Sequence, residues 1–300
     1  MMTTVRRHAL GAVAFLLFAA SAAAVPVTIN YLDGASEGFN DPTLGTSRKT
    51  AFQYAVNLWA TQVHGTVPIV IEAQFNPLGG TPSAATLGVA GFNSVLRDFT
   101  GAPVSGTWFP MPLANQITGA DQDPGNADIS AIFNSDVDTP GVLSGADFYY
   151  GTDSNPGSNI DFVTVVLHEL GHGLGFVSLV DSSTGAWFSG FPDIFGRQLT
   201  RVPGGDFDTM TNAQRLAALT SGQVYWKGPN VVAAHGGQIQ MFAPNPYQSG
   251  SSISHWDPSN FPNLLMEPSY WGATQSIDRT KPAFKDMGWS FSGVADWSMY

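Results

Sequence analysis

Cysteine is absent from the 300 residues of this chain. Disulfide bonds are therefore excluded, and so are lipid anchors that attach to a cysteine side chain. Long apolar stretches are also scarce, because the one extended run covers residues 9–20. A membrane-spanning helix needs about 20 apolar residues, so the sequence contains no convincing transmembrane segment.

Basic residues are few as well. The chain has 12 Lys and Arg against 23 Asp and Glu, which gives a formal net charge of −11. We therefore expect it to bind neither nucleic acid nor an anionic membrane surface. Only 4 of the 23 acidic residues are glutamate, and 33 Gly and 20 Pro accompany them. This composition indicates a loop-rich protein rather than a helical bundle.

The N-terminus has the three parts of a secretory signal. Arg6 and Arg7 precede the apolar run, and three alanines at 22–24 follow it. Cleavage after Ala24 would remove both arginines and change the net charge from −11 to −13. We therefore interpret residues 1–24 as a signal peptide of a periplasmic or secreted protein, with an uncleaved anchor as the alternative. The remaining residues 25–300 have the size of one domain, and a monomer is favoured.

The sequence HELGH at residues 168–172 has the pattern of a metal site. His168 and His172 are four residues apart, so a helix would present both imidazoles on one face to a single ion. Glu169 lies on the neighbouring part of that helix, where its carboxylate can reach an activated water molecule without binding the ion. The pattern predicts two zinc ligands and a general base.

The flanking residues predict the helix that this site requires. The residues before the motif are apolar almost all round, as in a helix buried in the middle of a domain. Ser158 and Asp161 are spaced like a capping box, which predicts the start of the helix. Gly175 stands where a helix end needs a left-handed residue, so we predict that the helix ends near Leu174.

The stretch from His168 to Ser178 resembles the metzincin signature HExxHxxGxxH of zinc proteases, except that Ser178 replaces the third histidine. Serine is a poor zinc ligand, so another residue has to complete the site. His235 and His255 are the later histidines of the chain. Glu267 is the only later glutamate, and its turn-like surroundings argue against a glutamate ligand.

A second resemblance favours His255. Met266 follows it by eleven residues, in a segment that resembles the methionine turn of metzincins. A third histidine displaced by a long insertion is similar to the leishmanolysin-like or matrixin-like branch of that family, although leishmanolysins are rich in cysteine. The resemblance implies that His168, His172 and His255 bind one zinc ion, with Glu169 as the catalytic base.

A secreted zinc endopeptidase acting on protein or peptide substrates is the function that the resemblance implies. Glu169 would take a proton from zinc-activated water and pass it to the leaving amine. One alternative is a zinc hydrolase that cleaves a non-peptide amide. Another is a non-catalytic exported binding module that retains a metal site. The binding module is disfavoured because structural zinc sites have four protein ligands, and the sequence offers only three.

The resemblance also implies an α+β, metzincin-like fold. An N-terminal lobe, residues 25–176, would place helices on a small, mixed, twisted sheet, and an irregular C-terminal lobe, residues 177–300, would close the zinc cleft. The sequence pattern predicts most of the individual elements independently, and the resemblance implies the last helix, at 280–287. The expected elements are helices at 46–63, 211–220 and 280–287 and strands at 68–75 and 127–134.

Weaker patterns suggest four further features. Loop aspartates could hold calcium; they are Asp121, Asp123, Asp128, Asp136 and Asp138. Asp257 could orient the His255 ring or equally well support a surface turn, and Tyr270 could stabilise an oxyanion near the zinc. The segment between Gly175 and Ser251 could either line a substrate wall or form a small core of its own. The aromatic residues considered for this role are Trp187, Phe188, Phe191, Phe195, Tyr225 and Trp226.

Overall fold

The computed structural model describes residues 24–259 and 263–291. Residues 1–23 of the predicted signal therefore lie outside the described residues. Within the described part the architecture is α+β, as expected, with six α-helices and several small sheets. None of the helices in this part is long and apolar enough to cross a membrane.

The helices are α1 Gly45–Gln62, α2 Met111–Thr118, α3 Phe162–Gly173, α4 Asn212–Ala218, α5 Pro229–His235 and α6 Thr280–Met287. The strands are β1 Val27–Tyr31, β2 Ile69–Asn76, β3 Gly88–Phe92, β4 Val95–Leu96, β5 Phe109–Pro110, β6 Ile129–Asn134, β7 Phe148–Tyr149, β8 Ile160–Asp161, β9 Leu199–Arg201, β10 Gly205–Asp206, β11 Val224–Trp226 and β12 Ile239–Gln240. The expected helices at 46–63, 211–220 and 280–287 and strands at 68–75 and 127–134 are confirmed within a few residues at each end. The short helices α2 and α5 were not expected.

The main sheet has the strand order β1-β2-β6-β3. The first three strands run parallel, and β3 pairs antiparallel with β6 at the edge. Residues of β2 alternate between buried and partly exposed, which is the period of a strand with one face on the core. Helices α1 and α3 pack on each other, and α3 also contacts β3 and β6. The edge strand therefore lies beside the helix that carries the HELGH motif.

Aromatic rings fill the core between this sheet and its helices. Phe39, Phe52, Phe75, Phe133 and Phe162 pack with ring centroids 4.9–6.4 Å apart. The Trp59 indole N–H donates to the Leu167 carbonyl oxygen at 3.0 Å and ties α1 to α3. Buried aromatic rings contribute large apolar areas, so this core holds α3 rigidly.

Helix α3 starts later than the sequence pattern predicts. Its N-cap is Asp161, whose carboxylate accepts the Thr164 backbone N–H at 2.9 Å. The capping box expected at Ser158 is therefore wrong, because residues 160–161 pair as strand β8 and the helix begins only after them. The predicted end is confirmed: Leu174 is the C-cap and Gly175 has a φ of 119°.

The chain after α3 builds a second, antiparallel sheet in the order β10-β9-β11-β12. Four aromatic rings in this part of the chain pack together, with the centroids of contacting rings 5.0–5.8 Å apart. They are Phe176, Phe195, Trp226 and Trp256. Phe284 of α6 joins them, 6.1 Å from Phe176. None of the six inserted aromatic residues lines the described part of the cleft beside α3, so they do not form the expected substrate wall there. They form no separate small core either, because Phe195 and Trp226 belong to the same hydrophobic core as the N-terminal sheet and helices.

Candidate metal centre

Three histidines meet at one point. The Nε2 atom of His172 lies 3.1 Å from the Nε2 atoms of both His168 and His255, and those two atoms are 3.2 Å apart. Among the described residues this is the one group of three or more His, Cys, Asp or Glu that could hold a metal ion. His235 is not part of it. That residue ends α5, and its Nδ1 atom is 3.4 Å from the Arg279 guanidinium.

The opposite nitrogen of each ring is held by the backbone. Each Nδ1 atom lies 2.7 Å from a carbonyl oxygen. The three pairs are His168 with Leu265, His172 with Phe176 and His255 with Ser251. Because a carbonyl oxygen can only accept, each Nδ1 must carry the proton and donate it. The tautomer of every ring is thereby determined, and the Nε2 lone pairs are directed towards one another.

Burial keeps these imidazoles neutral. It lowers the pKa of His172 to about 3 and is the largest cause of the lowered pKa values of His168 and His255. Three neutral rings with protonated Nδ1 atoms have no hydrogen to place between their Nε2 atoms. Converging lone pairs at 3.1–3.2 Å repel each other unless a cation lies between them.

The arrangement fits a metal ion in size as well as in chemistry. Imidazole nitrogen binds zinc at about 2.0–2.1 Å, and a tetrahedral ion with such bonds keeps its ligands roughly 3.3 Å apart. The observed separations of 3.1–3.2 Å are close to that value. Three histidine side chains are thus placed close enough to bind one metal ion.

Two separate parts of the chain bring the ligands together. Helix α3 carries the first two, while His255 arrives on a loop that β12 and the Met266 segment hold in place. The Trp256 backbone N–H donates to the Met266 carbonyl oxygen at 2.9 Å. On the other side, the Phe242 backbone N–H donates to the His255 carbonyl oxygen at 2.8 Å. Met266 packs under α3 so closely that a Cβ atom on Gly171 would lie 2.6 Å from its sulfur.

Glu169 lies beside the three rings in the same cleft. Its side chain is buried, and burial raises its pKa to about 8, an effect partly offset by a hydrogen bond from the Ala90 backbone N–H. Gly88 makes room for it: a Cβ atom there would lie 3.0 Å from the Glu169 Cγ atom. Edge strand β3 therefore positions the carboxylate that the sequence predicts to be a base.

The cleft around the histidines has a volume of about 830 Å³. Besides α3 and His255, it is lined by residues 83–90, 249–251, 263–265 and 267–272. Apart from histidine, the charged side chains that line its described part are Glu169 and Glu267. Glu267, which the sequence argued against as a ligand, uses Oε1 to accept the Leu264 backbone N–H at 2.8 Å.

Of the two side chains expected to assist the site, Asp257 does not orient the His255 ring. Its carboxylate accepts the Ser259 backbone N–H at 2.9 Å, in a turn, and the Ser251 carbonyl holds the ring instead. The Tyr270 hydroxyl accepts the Asp161 backbone N–H at 3.0 Å. Tyr270 also lines the cleft that contains the histidines, so its expected role as an oxyanion stabiliser stays a prediction.

The loop aspartates do not gather into a calcium site. Asp128 accepts the Val70 backbone N–H at 2.8 Å, and Asp138 pairs with Arg48 at 2.7 Å. Asp136 accepts the Gly79 backbone N–H at 2.8 Å. No acidic group among the described residues is close enough to two others to hold an ion. Their role in the described structure is to support turns and strand ends, as aspartate often does.

Four contributions to the site were not anticipated from the sequence. They are the carbonyl groups of Leu265, Phe176 and Ser251 and the N–H group of Ala90. All four are backbone groups, so no residue type at these positions could have signalled them. Only the requirement that every metal-binding imidazole has a partner on its other nitrogen predicts that such groups exist.

Comparison with known proteins adds nothing to this geometry. No family model, curated protein or solved structure matches the chain. The function must therefore be argued from the three histidines, Glu169 and the cleft that they share.

Proposed function

We propose that this protein is a zinc-dependent endopeptidase with a metzincin-like catalytic centre. The observation that carries the proposal is the convergence of three neutral Nε2 atoms beside a buried carboxylate in an open cleft. His168, His172 and His255 would hold the ion. Glu169 would act as the base. The predicted signal sequence supports export, to the periplasm or out of the cell.

The number of ligands supports a catalytic site over a structural one. Structural zinc sites are closed by four protein ligands, whereas catalytic sites have three and leave a position open. The described residues provide three, and the cleft opens beside them. Zinc in such a site supplies Lewis-acid activation of water and of the scissile carbonyl group.

Glu169 is suited to move a proton in both directions. Its buried side chain lies in the same cleft as the three imidazoles, which is where a base for this reaction has to be. In the proposed reaction it takes a proton from the attacking water and gives it to the amine nitrogen that leaves. The Ala90 N–H and the closely packed Gly88 hold the carboxylate against β3, so it does not have to be ordered when substrate binds.

The choice between peptide and other amide substrates is left to experiment. Purified protein should contain about one zinc per chain and should digest casein. A chelator such as 1,10-phenanthroline should stop the digestion, and added zinc should restore it. Cleavage of a small amide but not of casein would instead identify the protein as a hydrolase of non-peptide amides.

Glu169→Gln tests the proposed base directly. It should lower kcat on casein by about 100-fold or more while zinc stays bound, because amide and carboxylate have the same shape but only the carboxylate accepts the proton. Glu37→Gln, at an exposed site away from the cleft, is the matched control and should change neither property. Undiminished casein digestion by Glu169→Gln, or a purified protein without zinc, would rule the proposal out.

A further inference from the structure

The backbone segment that holds the first histidine is itself held by a carboxylate. The Leu265 carbonyl oxygen fixes the His168 ring through its Nδ1 atom at 2.7 Å, and the Leu265 backbone N–H donates to Asp278 Oδ2 at 2.6 Å. Asp278 lies 13 residues further along the chain and is not among the described residues that line the cleft. Its carboxylate is therefore connected to the metal centre through the backbone of Leu265.

The same carboxylate is connected to the loop that carries the third histidine. The Thr280 hydroxyl donates to Asp278 Oδ1 at 2.9 Å and accepts the Trp256 indole N–H at 3.3 Å. Trp256 follows His255 directly, and both Trp256 and Thr280 are fully buried. One carboxylate thus links the support of His168 to the residue beside His255, which are the two parts of the chain that the metal centre has to bring together.

A second carboxylate supports the same turn. Glu267, which is 2% exposed, uses Oε1 to accept the Leu264 backbone N–H at 2.8 Å and also accepts the Asn263 N–H. Three consecutive N–H groups, those of residues 263–265, therefore donate to carboxylates. Hydrogen bonds to carboxylates are shorter and stronger than those between neutral groups, so the backbone before Met266 is firmly held.

The two bonds of Asp278 serve different purposes. Its Oδ1 atom accepts the Thr280 backbone N–H at 2.8 Å, which forms the turn that starts α6. That turn does not need Oδ2, which is used for Leu265. Asp278 also has a φ of 40°, in the left-handed region that non-glycine residues seldom adopt. Residues in this conformation persist where their surroundings hold them, and they cluster at functional sites.

We propose that Asp278 is a positioning residue of the metal centre: it fixes the Leu265 carbonyl oxygen, which in turn directs the His168 ring towards the ion. This inference rests on the proposed function, because that function requires a metal ion at the three histidines. Loss of the partner that a metal-binding imidazole contacts typically lowers metal affinity by 10–100-fold. Asp278 acts one bond further away, so its loss should lower zinc affinity by about 3–10-fold.

Asp278→Ser separates the two bonds. A serine hydroxyl can accept the Thr280 N–H two residues on, but it is too short to reach Leu265 as well. The variant should therefore fold and bind zinc about 3–10-fold more weakly. With cobalt in place of zinc, its visible absorption spectrum should differ from that of the unmutated protein, because this spectrum reports the geometry of the ligands. On casein at saturating zinc, kcat should fall while KM stays unchanged.

Asp41→Ser is the matched control. The Asp41 carboxylate accepts the Thr43 and Leu44 backbone N–H groups at 2.7 Å ahead of α1, so it makes the same kind of turn outside the cleft lining. Its zinc affinity and cobalt spectrum should equal those of the unmutated protein, and urea unfolding checks that both variants are folded. Unchanged zinc affinity and an unchanged cobalt spectrum in folded Asp278→Ser would overturn the inference.

Asp278→Gly provides a second test if the serine variant does not fold. Glycine lacks the carboxylate but adopts a φ of 40° without the strain that other residues have there. The gain at that position offsets part of the stability lost with the hydrogen bonds. The same lower zinc affinity and altered cobalt spectrum are expected, and values equal to those of the unmutated protein would contradict the positioning role.

Zinc affinity and the cobalt spectrum require no reaction, so the inference and the proposed function can fail separately. If the unmutated protein digests casein and Asp278→Ser matches it in kcat, zinc affinity and spectrum, the inference fails alone. If casein stays intact while Asp278→Ser binds zinc more weakly than Asp41→Ser, the peptidase proposal fails and the positioning role remains. A purified protein that binds no zinc contradicts both.

Discussion

At the scale of single residues, the backbone decides how the histidines can act. Each imidazole donates its Nδ1 proton to a carbonyl oxygen 2.7 Å away. The ring cannot flip or exchange tautomers without breaking that bond, so the Nε2 lone pair is ready for a metal ion before the ion arrives. Such partners typically change metal affinity by 10–100-fold when they are lost.

Alanine substitution should have different effects at the two candidates for the third ligand, His255 and His235. His255→Ala should reduce zinc affinity by about 10-fold or more and remove nearly all peptidase activity, because two ligands on α3 remain and the site is no longer enclosed. His235→Ala should leave both unchanged, since His235 lies at the end of α5 beside Arg279. The measurement is zinc content after dialysis against a weak chelator. Full zinc retention by His255→Ala would contradict the assignment of that residue.

At the scale of elements, α3 depends on Asp161, the residue that caps its N-terminus. The buried Asp161 carboxylate caps the helix through the Thr164 N–H and also accepts the Gln275 amide. One side chain thus starts the helix that carries two of the ligands and anchors the segment that follows Met266. A strand end at residues 160–161 places this cap where a purely local pattern would not.

Replacing that cap should therefore be costly. Asp161→Ala should lower the free energy of unfolding by about 2 kcal/mol or more, because loss of an N-cap alone costs about 1 kcal/mol and buried donors are left unpaired as well. Ser158→Ala is the control: the sequence pattern named that residue as the cap, but the structure does not use it. Urea unfolding followed by circular dichroism measures both. Equal losses for the two variants would show that Asp161 is not the cap that matters.

The methionine segment and α3 are packed without spare room. A methyl group at Gly171 would lie 2.6 Å from the Met266 sulfur. Gly171→Ala should therefore destabilise the fold by roughly 1–3 kcal/mol, even though alanine is the better helix former by about 1 kcal/mol.

A double-mutant cycle isolates this contact. In a Met266→Ala background the obstruction is gone, so Gly171→Ala should become neutral or stabilising when unfolding is measured in urea. The same destabilisation in both backgrounds would mean that Met266 is not the obstacle.

At the scale of the whole molecule, Asp193 ties the inserted segment to its surroundings. The backbone of its neighbours pairs with Trp108, and its own carboxylate accepts the N–H groups of Leu179 and Gly196. Burial raises the pKa of Asp193 to about 6. A carboxyl group in the unfolded chain has a pKa of about 3.9, so the folded state binds this proton more tightly.

Stability should therefore respond to pH through this group. A raised folded pKa contributes stability that is complete below pH 4 and lost as the pH rises through 6. The free energy of unfolding of the unmutated protein minus that of Asp193→Asn should fall between pH 4 and 7, on the order of 1–3 kcal/mol. Urea unfolding at four pH values gives this difference, and a constant or rising difference would contradict the prediction.

Asp181→Asn serves as the control for the pH series. Hydrogen bonds from Ser183 and Thr184 lower the pKa of the exposed Asp181 to about 2. Its effect on stability is therefore expected mainly below pH 4, with the opposite sign. A pH response common to both variants would show that the change at Asp193 is not specific.

Local patterns were enough for much of the architecture. Apolar residues recur at helical spacing in α1 and alternate in strands β2 and β6, and the capping box of Thr211 and Gln214 marks the start of α4. Short elements such as α5 were missed, since seven residues contain too few turns for a period to emerge. The start of α3 was misplaced because pairing between β7 and β8 outweighed a plausible local cap.

The sequence by itself determined most of the donor set: the spacing of His168 and His172 and the adjacent Glu169 follow from residue types and their order, and the resemblance of the Met266 segment to a methionine turn favoured His255 over His235. Only the tertiary structure decided what makes those donors a site. It brought His255 to α3 from 83 residues beyond His172, placed backbone carbonyls on the Nδ1 atoms and set edge strand β3 against Glu169. It also gave Asp257 and the loop aspartates Asp128 and Asp136 backbone partners in turns and strands. Side-chain spacing is local and can be read from the chain, whereas backbone partners and cleft walls come from distant segments that meet only when the core packs.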